Sequence, residues 1–349
     1  MLKSFTDQDV LNQLKTVMDP ELHKDLVSLG MIKDIKISES NDVEFTIELT
    51  TPACPLRNQI ETDARQAVMK IEGIKQVKIN MSSRVAQNQQ LKEKVEISVK
   101  NIIAVSSGKG GVGKSTIAVN LAVALANTGA KVGLMDADFY GPNVPTMMGV
   151  SEIPNPQNNK LIQAIAHGVK VMSIGFLVKP GQPLIWRGPL LHSTIRQFLA
   201  DVDWGELDYL VVDMPPGTGD VQLSLAQHIP VTCGLIVTMP QKVSLDDASR
   251  GIEMFQKLSI PIAGVIENMG PMILPDGSTL DIFGEGGGEQ MAAAYGVNFL
   301  GRVALDPDIR KFGDSGLPIV NQAPDSRPAM QFNAMACEVA SFISRLNLQ

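Results

Sequence analysis

The residues with the clearest chemistry in this sequence form a glycine-rich run that ends in lysine, serine and threonine. Gly108, Gly113, Lys114 and Ser115 have the spacing G-x-x-x-x-G-K-[ST]. Glycines in such a run let successive backbone N–H groups point at phosphate oxygens, and a helix that begins at the lysine adds the positive end of its dipole. The predicted phosphate-binding loop comprises Gly108, Lys109, Gly110, Gly111, Val112, Gly113, Lys114, Ser115 and Thr116.

Three side chains of this loop have predicted roles toward a nucleoside triphosphate. We expect the Lys114 ammonium to contact the β- and γ-phosphates. The Ser115 hydroxyl is expected to ligate Mg²⁺, and Thr116 to reach the α-phosphate.

Acidic residues end two of the apolar runs that follow. Asp213 closes the run at 209–212, and Asp136 and Asp138 follow the run at 132–135. A lone aspartate after a strand is more often a turn or a helix cap. Three of them beside a phosphate loop instead favour a nucleotide site, in which the Asp213 carboxylate reaches the Mg²⁺ shell.

The elements that must position these residues alternate between short apolar runs and helical segments. Continuous apolar runs separated by helices predict an α/β fold with a mostly parallel, doubly wound sheet that is covered on both faces. Ligands of such sheets lie at the carboxyl ends of the strands. The predicted strands span 102–105, 132–135, 169–172, 209–212, 234–238 and 262–266.

A smaller unit precedes this sheet. Residues 1–85 show the pattern α-β-β-α-β, with strands at 31–37, 43–49 and 77–79. Residues 86–98 are polar and aperiodic, which predicts a linker. The nucleotide-binding domain is then predicted to span 99–349.

Composition narrows the function classes. The net charge of −7 opposes an extended nucleic-acid surface, which needs clustered lysine and arginine. The N-terminus carries acids early, and no run approaches the ~20 apolar residues of a membrane helix, so we expect neither a secretory signal nor a membrane contact. Three widely spaced cysteines suggest reduced thiols, and the expected location is the cytoplasm.

The phosphate loop carries a second lysine, Lys109, directly after its first glycine. This resembles the deviant Walker A motif of the MinD/ParA-like ATPases. The resemblance implies a homodimer in which Lys109 reaches across to the partner's nucleotide. A second cation near the γ-phosphate would stabilise the charge that develops during hydrolysis.

Longer blocks resemble a more specific family. The segments DADFYGPNVP (136–145), IWRGP (185–189), WGELDYLVVDMPPGTGD (204–220) and DIFGEGGG (281–288) resemble the Mrp/ApbC/Nbp35 family of iron–sulfur cluster carriers. The segments MDPEL (18–22) and LTTPACPL (49–56) resemble the MIP18 (DUF59) domain, which precedes the ATPase in bacterial Mrp proteins.

This resemblance implies an ATPase that transfers iron–sulfur clusters to apoproteins, and it implies roles for further residues. Asp138 would position the attacking water, and Asp213 would hold Mg²⁺ through its water shell. Pro216 and Gly217 would belong to a switch that senses the γ-phosphate. Asn268 would hydrogen-bond adenine, and the segment 305–310 would close over the base.

The sequence departs from that family at its usual cluster ligands. Members that hold a cluster on the ATPase domain place C-x-x-C between the Asn-Met pair and DIFG. Leu274 and Gly277 occupy those places here, and neither side chain ligates iron. The usual bridging site is therefore not predicted.

Cys54 is the cysteine with a candidate function. It lies between two prolines at a strand-to-helix junction, where helix N–H groups stabilise a thiolate, and it matches the cysteine of the MIP18-like domain. One thiolate per chain would hold a labile cluster that needs exogenous ligands. Cys233 and Cys337 lie in apolar patterns and are expected to be packed in the core.

Three functions stay open from the sequence. The leading one is a dimeric ATPase that carries iron–sulfur clusters. The missing C-x-x-C favours a metal-free, ATP-dependent adaptor, and the deviant loop alone permits a MinD/ParA-like spatial organiser. A small-molecule kinase is disfavoured, because no separate acceptor-binding domain is visible.

Overall fold

The computed structural model describes residues 5–88, 98–157, 160–177 and 188–348. The chain divides into two compact units, and the first combines Met1–Ala86 with Ala340–Gln349. The second unit is Gln87–Val339. The predicted linker at 86–98 lies mostly outside the described residues.

The first unit packs two helices on one face of a three-stranded sheet. Strand β4 pairs antiparallel with β3 and parallel with β5. Its residues are buried at every second position, as expected for a strand with one face on the core. The elements are α1 (Asp7–Leu14), β1 (Met18–Asp19), β2 (Lys24–Asp25), β3 (Ile32–Ile37), β4 (Asp42–Leu49), α2 (Arg57–Val68) and β5 (Gln76–Ser83).

The predicted α-β-β-α-β order of this unit is confirmed, with the short β1–β2 pair as an addition. The C-terminal residues also belong to it. The Ser341 hydroxyl donates to a Glu21 carboxylate oxygen at 3.1 Å, and the Asn347 amide donates to the Ala86 carbonyl at 3.2 Å. The unit therefore includes a segment that the sequence pattern placed with the domain at 99–349.

The second unit carries the larger sheet. Its elements are β6 (Val99–Ser107), α3 (Lys114–Asn127), β7 (Val132–Asp136), α4 (Val144–Met147), β8 (Ala164–Ala166), β9 (Val169–Ser173), a 3₁₀ turn (Ile174–Leu177), α5 (Gly188–Ala200), β10 (Leu207–Asp213), α6 (Asp220–His228), β11 (Cys233–Thr238), α7 (Lys242–Lys257), β12 (Ile262–Gly270), β13 (Met272–Ile273), β14 (Thr279–Leu280), α8 (Gly287–Tyr295), β15 (Phe299–Ala304), α9 (Pro307–Asp314) and α10 (Ile319–Gln322). Helix α11 (Arg327–Asn347) begins in this unit, and its residues from Ala340 onward belong to the first unit.

The sheet has eight strands in the order β15-β12-β11-β6-β10-β7-β9-β8. Every pair is parallel except β8–β9, so the predicted mostly parallel sheet is confirmed. The central strand β6 is followed in sequence by β7, but β10 lies between them. Ligands of such sheets bind where the strand order reverses, which here is the carboxyl end of β6.

Helix α3 begins at that end of β6 and is apolar nearly all round. Ten of its fourteen residues are buried. Its alanines let the helix lie close to the strands, because a methyl group needs little space between the two backbones. The first turn of α3 is thus fixed in front of the sheet. Within the described parts of the chain, no helix combines the length and apolar character that spanning a membrane requires.

Candidate nucleotide site

The loop between β6 and α3 needs glycine at three positions. Gly111 and Gly113 have φ angles of 79° and 83°, a backbone region that favours glycine. A Cβ at Gly113 would lie 2.1 Å from the Asn268 amide nitrogen. A Cβ at Gly108 would lie 2.1 Å from the Asp247 backbone carbon. The loop is therefore pressed between α7 and the end of β12.

Lys114 lies in a buried, acidic environment. Its side chain is 5% exposed, and its Nζ lies 2.6 Å from Asp213 Oδ1 and 3.5 Å from Asp138 Oδ2. The Ser115 hydroxyl donates to Asp213 Oδ2 at 2.6 Å. The structure thus brings together four predicted site residues, Lys114, Ser115, Asp138 and Asp213. The first and the last of them are 99 positions apart in the sequence.

The Ser115 hydroxyl and the Asp213 carboxylate form a pair of adjacent oxygen donors at the end of the phosphate loop. Hard divalent cations prefer such oxygens, and Mg²⁺ is commonly held by few protein groups together with phosphate oxygens and water. The donor set therefore fits Mg²⁺ bound with a nucleotide.

Asp136 is fully buried behind these groups. Its carboxylate accepts hydrogen bonds from the Ser173 hydroxyl at 2.8 Å and from the backbone nitrogens of Asp138 and Val144 at 3.1 and 3.3 Å. Burial raises its pKa to about 7, and the charge of Asp213 adds to the rise. Burial also raises the pKa of Asp138, against the opposing effect of Lys114. Asp138 and Asp213 therefore share one buried cation, with the Asp136 carboxyl group buried behind them.

This arrangement predicts that the free energy of unfolding of the nucleotide-free protein depends on pH. Because the pKa of Asp136 rises from 3.8 to about 7 on folding, the folded state holds a proton that the unfolded chain has released at intermediate pH. The contribution of Asp136 to stability therefore falls as pH rises through that window. The substitution Asp136→Asn removes the titrating group and should therefore remove this fall.

Urea unfolding in Mg²⁺-free buffer, at about pH 5 and about pH 8, measures the effect. The comparison with Asp136→Asn is needed because the two proteins differ only at this group, so the contributions of all other titrating groups to the pH slope cancel. An equal change in the free energy of unfolding between the two pH values in both proteins would contradict the prediction.

Lys109 lies at the other end of the loop and is half-buried. Its backbone carbonyl accepts from the Ser107 hydroxyl at 3.0 Å. Among the described residues, no side chain forms an ion pair or hydrogen bond with its ammonium group. This differs from Lys114, whose cation is already neutralised within the chain.

The predicted switch segment lies directly beside the loop. Gly217 adopts φ 101°, and its N–H donates to the Ser107 carbonyl at 3.0 Å. Pro216 is half-buried beside it. No sequence pattern indicated Gln222, whose buried amide donates to the Ser106 hydroxyl at 2.5 Å and so links α6 to the end of β6.

A cavity of about 210 Å³ continues from the phosphate loop toward β12 and β15. Thr116 and Asn268 line it, as do Leu305, Asp306 and Arg310 from the segment predicted to close over a base. The Asn268 amide nitrogen donates to the Val112 carbonyl at 2.8 Å, which fixes the orientation of the amide. Sequence reasoning missed Met147, Met269 and Ile309 in this lining, because apolar residues in such runs are commonly core.

The three cysteines have different surroundings, and none of them is in a disulfide. Cys233 is fully buried, and burial raises its pKa to about 12. Cys337 is half-buried on α11, rather than enclosed in the core as expected. Cys54 is half-buried between β4 and α2, packed against the core of the first unit, as its predicted strand-to-helix position requires.

The place of the family's C-x-x-C is a small hairpin. Strands β13 and β14 pair antiparallel, and the N–H of Gly277 donates to the Leu274 carbonyl at 2.9 Å in the turn between them. Among the described residues, no three His, Cys, Asp or Glu side chains gather in a way that would hold a metal ion.

Two family models match this chain. A model described as NUBPL iron-transfer P-loop NTPase matches residues 98–340, and one described as iron-sulfur cluster assembly protein matches residues 7–81. An iron-sulfur cluster carrier protein from Synechocystis is 50% identical, over 97% of this chain and 98% of that protein.

Solved structures resemble the second unit. A nucleotide-binding protein from Archaeoglobus fulgidus, in complex with ADP, is 37% identical with a TM-score of 0.57, over 65% of this chain and 90% of that one. The cell division ATPase MinD from Pyrococcus furiosus is 25% identical with a TM-score of 0.53, over 68% of this chain and 98% of that one.

Proposed function

Because this chain belongs to the NUBPL iron-transfer P-loop NTPase family, we propose that it is an ATP-hydrolysing carrier of iron–sulfur clusters. It binds a cluster and delivers it to apoproteins. The observation that carries the proposal is the 50% identity with an iron-sulfur cluster carrier protein along nearly the whole of both chains. Both halves of that architecture are matched by their own family models.

The chemistry of hydrolysis is assigned to the buried acidic site. Lys114 exchanges its contact with Asp213 for the β- and γ-phosphate oxygens when ATP binds. Ser115, and Asp213 through the water shell, would hold Mg²⁺, which would neutralise charge on the phosphates. Asp138, 3.5 Å from Lys114 Nζ, faces the same site and positions the attacking water.

The homodimer is part of this proposal. In the described chain the Lys109 ammonium has no acidic partner, although it lies in the same loop as the neutralised Lys114. A cation without a partner beside a phosphate site is suited to reach the γ-phosphate of a second copy and stabilise charge in the transition state. Hydrolysis then depends on protein concentration.

ATP is the proposed nucleotide because of the way Asn268 is held. Its amide nitrogen is engaged by the Val112 carbonyl, so its oxygen is the acceptor that remains for the cavity. Adenine offers the N6 amino group as a donor, whereas guanine offers the O6 acceptor at the same place. Two facing acceptors would leave both unsatisfied on burial.

We therefore expect GTP to bind at least about tenfold more weakly than ATP. Asn268→Ala should bring the two dissociation constants toward each other, while binding of inorganic triphosphate stays unchanged. Calorimetric titration with Mg²⁺ measures all three ligands. Equal affinity of the wild type for ATP and GTP would contradict this assignment.

The iron–sulfur cluster is the cargo, and Cys54 is the proposed ligand from this chain. Leu274 and Gly277 supply no thiolate at the hairpin. Two Cys54 thiolates in a dimer, completed by exogenous thiols, would hold a cluster that leaves easily, as transfer requires.

The proposal is tested by transfer. The purified protein is reconstituted anaerobically with iron and sulfide and then mixed with an apo iron–sulfur protein, with and without ATP. Recovery of the client's cluster absorbance, sensitive to ATP, is the expected result. Intact ATPase activity without any bound iron would instead establish the metal-free adaptor, which the hairpin without cysteines favours.

A further inference from the structure

The end of β12 contains a bulge beside the base cavity. Asn268 pairs with Val303 of β15, and Gly270 pairs with the next residue, Ala304. Met269 is therefore an extra residue in β12, and its φ of 58° is in the left-handed region that side chains other than glycine rarely adopt.

The bulge changes which side chains face the cavity. In a regular strand, consecutive side chains point to opposite faces of the sheet. Here the consecutive residues Asn268 and Met269 both line the same cavity. A bulge commonly re-aims a side chain in this way at a functional site. The apolar, polarisable thioether of Met269 therefore lies in the cavity next to the Asn268 amide, which is proposed to hydrogen-bond the edge of the base.

An ion pair between the buried Glu267 and the partly exposed Arg302 lies beside the bulge, and Arg302 also pairs with Glu285. The Glu267 carboxylate is fully buried and accepts hydrogen bonds from Arg302 Nε and from the N–H groups of Gly286 and Gly288, the latter two at 3.1 and 2.7 Å. A Cβ at Gly270 would lie 2.5 Å from Arg302 Cδ, so the arginine stem crosses directly over the bulge. Two glycines of the DIFGEGGG segment, Gly286 and Gly288, thus bind the carboxylate of this ion pair.

We propose that Met269 packs against the nucleobase and that the Glu267–Arg302 pair is a positioning device that keeps it there. The inference rests on the proposed ATP site and adds to it a contact with the face of the base. Three further lining residues, Met147, Ile309 and Ile319, are also apolar and suit a flat aromatic ligand.

The test compares ATP with inorganic triphosphate, which lacks the base. Met269→Gly should weaken the binding of ATP by about tenfold and leave the dissociation constant of triphosphate within about twofold of the wild-type value. Its thermal midpoint should not fall, because glycine suits the positive φ. Met269→Leu should bind ATP nearly as the wild type does. Unchanged ATP affinity in Met269→Gly, or an equal loss for both ligands, would overturn the proposal.

The positioning role is tested with Arg302→Lys, which keeps the charge but not the planar fork. ATP affinity should fall while triphosphate affinity holds, and the loss should not add to that of Met269→Gly, because both act on one contact. If the two losses of ATP-binding free energy add fully in the double variant, Arg302 does not act through Met269. Binding of ATP by the wild type is a separate result, and its absence would count against the proposed function rather than against this inference.

Discussion

Lys114→Ala is expected to lower the rate of ATP hydrolysis by at least about a hundredfold. The lysine is the buried cation of the acidic site and the group assigned to the β- and γ-phosphates. The same substitution should destabilise the nucleotide-free protein by roughly 3–5 kcal/mol, since it leaves the Asp138 and Asp213 carboxylates buried without their cation. Phosphate release and urea unfolding measure the two effects.

The matched control is Lys109→Ala, a lysine of the same loop without an acidic partner among the described residues. It should slow hydrolysis as well, but the free energy of unfolding of the nucleotide-free protein should change by less than about 0.5 kcal/mol. A Lys109 variant as destabilised as the Lys114 variant would contradict the contrast between the two cations. Near wild-type turnover in Lys114→Ala would mean that Lys114 does not contact the reacting phosphates.

The central strands were predictable because each is a continuous apolar run. β7, for example, was predicted at 132–135 and observed at Val132–Asp136, with every residue buried. The edge strands gave no such signal. β15 contains Gly301 and Arg302 and is mostly half-buried, and β8 has three residues. An edge strand is covered on fewer sides, so its sequence is under weaker constraint.

The phosphate loop was predictable because its residues are consecutive and their backbone geometry demands glycine. The pairing of Lys114 with carboxylates about 24 and 99 positions away follows from the strand order, which no local pattern contains. The same holds for Glu267, whose partners come from the neighbouring strand β15 and from the start of α8. Non-local pairs of this kind are decided by topology. The sequence therefore predicted Lys114, Asp138 and Asp213 but not their contacts, and it did not indicate Glu267 or Arg302.

Cys54→Ala is expected to abolish the iron–sulfur absorbance of the anaerobically reconstituted protein. The thiol is half-buried between β4 and α2, two residues before the residue that caps α2. It is the cysteine in the segment that resembles the MIP18 domain, and no thiolate is available at Leu274 or Gly277. If the cluster depends on one thiolate per chain, its removal leaves no ligand from the protein. ATP hydrolysis should be unchanged, because the acidic site is intact.

Two control variants separate ligation from general thiol chemistry. Cys233→Ala should keep the cluster, because burial raises the pKa of that thiol to about 12 and so denies it the thiolate form that iron requires. Cys337→Ala tests the other half-buried thiol in the same assay. Loss of iron only in Cys54→Ala would place the carrier function on the first unit. Loss only in Cys337→Ala would move the ligand to α11, and iron retained in all three would mean that no single cysteine anchors the cluster.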